Sequence, residues 1–248
     1  MHIIGDYHTH SNFSHGQGDL KGNIETAARK GLDEIAITDH GPRTYNFIRL
    51  GIKEPDVLLE IKQKVKEIQR EYSKLNVKVG VEANIINGKG ELDIPSDILS
   101  ELDLVAAGFH ILIRLPDFNS WRRIKFDNRI TYKIFPGIRE KIRRWNTETV
   151  VKAVKKNEID FITHPGYKVD IDTYELARVC AEEGTWLEIN CRHGEMKKDF
   201  VRAARETEVK FIVNSDAHHP KKVGELEVGI RLIRELDLDW ERVVNVKG

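Results

Sequence analysis

Cysteine is nearly absent: Cys180 and Cys191 are the only two in 248 residues, too few for a disulfide framework. No apolar run is long enough to cross a bilayer, and the start, Met1 to Tyr7, lacks the basic segment and hydrophobic stretch of a secretory leader. A reducing cytoplasm and no membrane partner are therefore expected. Proline and glycine number 7 and 18 and form no cluster, so no linker divides the chain and one domain over residues 1–248 is expected. No repeat of fixed period is present. Net charge is missing as well: 40 Lys and Arg balance 40 Asp and Glu. That balance argues against the one-signed field of a general nucleic-acid or membrane-surface binder.

What is present is regular alternation. Short stretches at 2–8, 34–38, 77–82, 104–109, 160–163, 186–189 and 210–214 are rich in Ile, Val, Leu or Phe and bounded by polar residues, as strands are. Helical periodicity fills the intervals. Across 55–75 the residues Leu58, Ile61, Val65, Ile68, Tyr72 and Leu75 recur at three or four, and 147–156, 173–183, 197–207 and 223–236 behave alike. Gly31 and Gly184 follow helical stretches, where a left-handed cap is wanted. Seven strand–helix units in series predict a parallel sheet, since each parallel crossover needs a helix. An open doubly wound sheet and a closed barrel both satisfy this pattern.

The polar residues decide between them. The first strand leads into Asp6, His8 and His10, which alternation places on one face. The second ends in Asp39 and His40, the third in Glu82, the fourth in His110, the fifth in His164, the sixth in Asn190 with Arg192 beyond, the seventh in Asp216 and His218; His15 follows in the first loop. All lie at carboxyl ends. In an open sheet they would spread along a line too long to converge, whereas in a barrel they ring one mouth. The expected fold is therefore an α/β barrel. Imidazole suits zinc, iron and manganese, and a carboxylate can bridge two ions.

The runs DYHTH, ITDHG, GVEANI, AGFH, THPG and NSDAH, in this order from residue 6 to 218, resemble the polymerase-and-histidinol-phosphatase (PHP) superfamily. The stretch GVEANIINGKGELD looks especially like its stand-alone bacterial phosphatases with a trinuclear zinc site. The resemblance implies a distorted (β/α)7 barrel holding two to three divalent ions, zinc first, with manganese or iron as alternatives. It implies one ion on His8, His10, Glu82 and Asp216, a second on Glu82, His110 and His164 with Glu82 bridging, and a third on His15, His40 and His218. Asp6 and Asp39 would then orient ligating imidazoles. Three divalent ions less two carboxylates leave a surplus of about four positive charges, which favours a bound hydroxide and a phosphoryl dianion. The hydroxide would attack phosphorus in line while the ions neutralise the equatorial oxygens.

Arg192 is a candidate phosphate clamp, and His193 and His219 are candidate proton donors to the leaving alcohol. The segment 111–146 carries ten Arg or Lys against three acids, together with Trp121, Phe126, Tyr132, Phe135 and Trp145. It reads either as a lid admitting anionic substrates or as an inserted helical hairpin with a solvated basic face and an aromatic core. The leading expectation is a phosphomonoesterase acting on a small phosphorylated metabolite, histidinol phosphate being offered by the resemblance alone. The basic segment keeps a phosphodiesterase or nuclease as the alternative. A non-catalytic metal-stabilised domain is the third reading, and a homo-oligomer is left open.

Overall fold

The computed structural model describes residues 2–193 and 198–247. Seven strands, β1 (Gly5–Thr9), β2 (Glu34–Ile37), β3 (Asn76–Asn84), β4 (Leu104–Gly108), β5 (Phe161–Ile162), β6 (Trp186–Asn190) and β7 (Phe211–Asn214), lie side by side in chain order. Every pairing along this sheet is parallel. Order without reversal is the mark of a singly wound barrel rather than a doubly wound sheet. β1 and β7 close on each other without a full ladder. Tyr7 N–H donates to Asn214 Oδ1 at 2.9 Å, and past the strand ends Ala217 N–H donates to His8 O and His10 N–H to Ala217 O. The result is the nearly closed seven-stranded barrel expected from the polar residues at the strand ends.

Helices cover the outside because each presents one apolar stripe. α1 (Leu20–Arg29) buries Leu20, Ile24 and Ala27 and is capped by Asp19, whose carboxylate accepts from Gly22 N–H. α2 (Val57–Ile68) buries Leu58, Ile61 and Val65. α3 (Arg139–Lys156), α4 (Thr173–Glu183), α5 (Lys198–Arg205) and α6 (Glu227–Glu235) follow. Gly31 and Gly184 have φ of 73° and 77°, the left-handed caps anticipated. A small cluster of Tyr7, Ala36, Leu104, Ala106, Phe161 and Ile212 packs apart from the main core between sheet and helices. These residues alternate with the outer-core positions, so they plug the barrel's interior and leave the carboxyl-end half to polar groups.

Several boundaries differ from expectation. The candidate strand 2–8 splits: His2–Ile3 pairs antiparallel with Val246–Lys247, and only the rest enters the barrel. The helix expected over 55–75 stops at Ile68 and tightens into a 3₁₀ turn, Gln69–Glu71. The helix expected at 147–156 reaches back to Arg139. That expected at 223–236 is preceded by a 3₁₀ turn at Pro220–Lys222 and begins at Glu227. For 197–207, Lys197 lies outside the described residues.

Within 111–146 the chain forms a π-helix, Trp121–Thr131. The wider winding is sustained by Asn128, whose Nδ2 donates to the carbonyls of Arg123 and Ile124 and whose amide pairs with that of buried Asn146. An aromatic core was one reading of this segment, and the structure corrects it. Phe118, Trp121, Phe126 and Phe135 are exposed, and the first three form a stacked row with centroids 5.7 and 6.0 Å apart. With hydrogen bonds spanning five residues, positions 121, 126 and 130 share the outer side while Ile124 and Asn128 face inward.

Candidate metal centre

Strict alternation would put Asp6, His8 and His10 on one face, and the structure departs from it. The β1–β2 ladder pairs Asp6 with Ile35 but Thr9 with Ile37, a slip of one residue. This irregularity turns Tyr7 into the interior plug and leaves Asp6 on the helix side, accepting from Ser215 N–H and Oγ and from Gly224 N–H. Past the slip, His8 and His10 face the mouth. A bulge re-aims side chains in this way.

Glu82, fully buried on β3, is the hub. Its Oε2 lies 2.7 Å from His40 Nδ1, 3.3 Å from His8 Nε2 and 3.7 Å from His10 Nε2. Its Oε1 lies 3.0 Å from His164 Nε2 and 3.2 Å from His110 Nε2. Asp216 Oδ1 is 3.4 Å from His10 Nε2, 3.8 Å from His8 Nε2 and 3.2 Å from His218 Nδ1. His15 stacks on His40 at 4.9 Å while its Nδ1 meets Leu50 O at 3.2 Å. Thus all nine residues expected as ligands are gathered at one mouth.

Two of them sit on unusual backbone. His164 and Asp216 have φ of 27° and 53°, a region that few non-glycine residues occupy. Gly108 is required for a neighbouring reason: a Cβ there would lie 2.3 Å from the His110 ring.

The groups that orient the imidazoles are not those anticipated. Asp39 accepts from Ser11 N–H, Ser11 Oγ and Ser14 Oγ; Asp39, like Asp6, steadies a turn rather than a ring. His8 Nδ1 instead meets Glu188 Oε1 at 2.7 Å, and His110 Nδ1 meets Asn84 Oδ1 at 2.8 Å. Glu188 also accepts from His164 N–H, Asn190 Nδ2 and Asn214 Nδ2. Sequence reasoning passed over Glu188. The signal was a carboxylate inside the apolar run of β6, two residues before Asn190 and therefore on its inward face.

Burial opposes every charged form here, and neighbours decide which groups keep a charge. For His8, Glu188, Glu82 and Asp216 outweigh burial and hold its pKa well above the ordinary imidazole value. Burial, His218 and His40 hold His10 well below it. Burial and the adjacent His40 and His218 push His15 down to about 3, and burial brings His40 down to about 4 despite Glu82. Burial raises Glu82 and Asp216, but the imidazoles around them dominate and keep both well below the usual carboxylate range.

The other candidates divide. Arg192 Nη1 lies 3.3 Å from Asp216 Oδ1 and against the His218 ring. His193 Nε2 lies 3.2 Å from Asp216 Oδ2, its ring stacked on Tyr167 at 3.8 Å. Both line a cavity of about 720 Å³ with Tyr132, Tyr167, Lys168 and Asp170. His219 is elsewhere: its Nδ1 accepts from Lys221 N–H at the start of a 3₁₀ turn.

Do these groups suit cations? His8 Nε2, His10 Nδ1 and Nε2, His40 Nδ1 and Glu82 Oε2 are buried without a well-aligned hydrogen bond, although His40 Nδ1 and Glu82 Oε2 stand 2.7 Å apart. Such orphaned polar atoms are costly, and a cation lying between them would take up their lone pairs. Three sets, His8–His10–Glu82, His40–Glu82–His110 and His10–His40–His218, each bring donor atoms within 4.8 Å of one another. Mixed nitrogen and carboxylate oxygen is a donor set for zinc, manganese or iron, so the residues fit.

Comparison with known proteins gives the same answer. Residues 6–215 match the PHP domain. Proteins named "probable phosphatase" from Acetivibrio thermocellus and Thermoanaerobacter are 29% and 30% identical over 99% of this chain and over 92% and 91% of theirs. The structure of histidinol phosphate phosphatase from Lactococcus lactis, solved with zinc, L-histidinol and phosphate, superposes with a TM-score of 0.69 at 20% identity, over 96% of this chain and 95% of that one. The chain belongs to the PHP domain family and is a metal-dependent hydrolase of phosphoric esters.

Proposed function

We propose that the chain hydrolyses small dianionic phosphomonoesters, with the phosphoryl group at the Glu82 hub and the leaving group in the adjoining cavity. The orphaned buried nitrogens around Glu82 are the observation that carries this reading. Divalent ions there would lower the pKa of water toward neutrality and neutralise the phosphoryl oxygens. We assign His8, His10, Glu82 and Asp216 to one ion, Glu82, His110 and His164 to a second, and His15, His40 and His218 to a third. A cavity of about 720 Å³ is the size of a small-molecule site. The insert bounds it through Asn128 and Tyr132, which favours a metabolite over a polymer. The L-histidinol bound to the Lactococcus protein makes a phosphorylated amino alcohol the first ester to try.

Arg192 clamps the phosphoryl oxygens, and His193, which lines the cavity, is placed to return a proton to the leaving alcohol. We also propose that residues 1–248 fold as one domain, since a single core cluster runs from Ile3 to Val243. Both cysteines are unpaired, in keeping with a reducing cytoplasm, and no helix among the described residues is long and apolar enough to cross a membrane.

Protein purified without chelator should carry two to three divalent ions per chain by elemental analysis and should cleave p-nitrophenyl phosphate faster than its bis-ester. Fewer than one ion after loading with zinc or manganese would remove the basis for this reading. Faster diester cleavage would select the nuclease alternative. Arg192→Ala should lower kcat/KM about 30-fold, equivalent to about 2 kcal/mol for a charged hydrogen bond lost in the transition state; unchanged kinetics would make Arg192 a bystander.

A further inference from the structure

We propose that Asp93 and Asn84 form a positioning chain that fixes which nitrogen of His110 carries its proton. The inference rests on reading His110 as an ion ligand. β3 runs past Asn84 into a turn that returns Asp93 beside it: Asp93 N–H donates to Asn84 O at 3.1 Å. The buried Asp93 carboxylate accepts from Asn84 N–H at 2.7 Å, from Asn84 Nδ2 at 2.6 Å and from Arg43 N–H at 3.1 Å. Space for it comes from Gly41, where a Cβ would lie 2.4 Å from both carboxylate oxygens; this accounts for the glycine after His40 in the sequence.

The consequence reaches the metal centre in two steps. An ionised carboxylate only accepts hydrogen bonds. The Asn84 amide must therefore turn its nitrogen toward Asp93, where Thr44 Oγ1 also lies at 2.9 Å. Its oxygen is left facing His110 Nδ1 at 2.8 Å. Nδ1 must then hold the hydrogen, and the Nε2 lone pair is left to point at the site. There it stands 3.2 Å from Glu82 Oε1 and 3.3 Å from His164 Nε2. Two imidazole nitrogens and a carboxylate oxygen converge at ligand spacing, and the amide flip decides whether the third donor is available. Asp93 touches no ligand and acts through Asn84.

Asp93→Asn gives the chain a side chain that donates as well as accepts. It permits Asn84 to flip and present its NH₂ to His110. The expected result is zinc bound 10- to 100-fold more weakly at one site per chain, with the remaining ions retained, as measured by chelator competition. Nitrogen-15 spectra of the metal-free variant in mildly alkaline solution should show His110 shifted from the Nδ1–H to the Nε2–H tautomer. The swapped pair Asn84→Asp with Asp93→Asn, in which residue 84 can only accept, should restore the Nδ1–H form and much of the affinity. His110→Ala separates the two levels: unchanged zinc binding there removes His110 from the ligand set. Loss of one zinc in His110→Ala with none in folded Asp93→Asn overturns the positioning chain. So does an Nε2–H tautomer at His110 in the metal-free wild type, which needs no variant to fold.

Discussion

Glu82→Gln is expected to abolish most turnover while leaving the barrel folded. Five imidazole nitrogens lie within 3.7 Å of the two oxygens of this carboxylate, so one substitution touches every ion that shares it. Glutamine keeps the size but removes a negative charge and replaces one acceptor oxygen by a donor. A Lewis acid contributes several kcal/mol to a phosphoryl transition state. Loss of the ions should therefore reduce kcat by about 10³-fold or more, equivalent to about 4 kcal/mol. Plug residue Ala106 lies beside Glu82 in the sheet register, but glutamine adds no bulk against it, so circular dichroism should match the wild type. His193 is unsuitable as a control because it lies against Asp216. Glu148, paired with Arg144 on the exposed side of α3, serves instead, and Glu148→Gln should keep full metal and rate. Near-normal metal content and rate in Glu82→Gln would show that it bridges nothing.

A second large effect is expected from Glu188→Gln, this time on stability as well as activity. Glu188 is fully buried, and each oxygen accepts from two donors: His8 Nδ1 and Asn214 Nδ2 on one, His164 N–H and Asn190 Nδ2 on the other. An amide can satisfy only one of these pairs, and breaking a buried ion pair costs about 3–5 kcal/mol. For a chain of this length that corresponds to a fall in Tm of about 10 °C. The pH dependence in metal-free protein follows from the two shifts. His8 is raised in the fold, so its contribution is complete below its unfolded value near 6.5 and fades as pH rises through the folded one. Burial opposes the charge of Glu188, but His8 prevails and lowers its pKa. Its contribution is complete above the unfolded value near 4.5 and fades as pH falls through the folded one. The wild type should thus exceed Glu188→Gln most between roughly pH 4.5 and 6.5. A difference in Tm below about 2 °C in that window would mean the four donors find water or other partners.

The barrel and most of its mouth were legible because strands buried on both faces must be apolar, and polar residues at their ends are then conspicuous. His40, Glu82, His110 and His164 could each be placed by that contrast alone. Position within a strand was harder. The slip between Asp6 and Thr9 cannot be read from a pattern of period two, so Asp6 was placed on the wrong face. Glu188 hides in a run that otherwise reads as core, and its burial is tolerable only because four donors meet it there. Asp39 was expected to orient an imidazole only through the ligand set that the resemblance implied, but successive residues on a strand point oppositely, and it bonds Ser11 and Ser14. In 111–146 an aromatic core was one reading, whereas the π winding of Trp121–Thr131 leaves Trp121 and Phe126 exposed.

The gap between β1 and β7 gives the metal centre a mechanical meaning. At strand level that gap is spanned by the Asn214 side chain. His8 and His10 stand on one side of it and Asp216 and His218 on the other, with His10 Nε2 and Asp216 Oδ1 3.4 Å apart. A cation held between them would be a cross-link across the weakest line of the cylinder, joining residues more than 200 positions apart in sequence. It would restrain the open chain as a disulfide does, in a protein that has no disulfide of its own among the described residues. The same ions that activate water would then act as the clasp of the barrel.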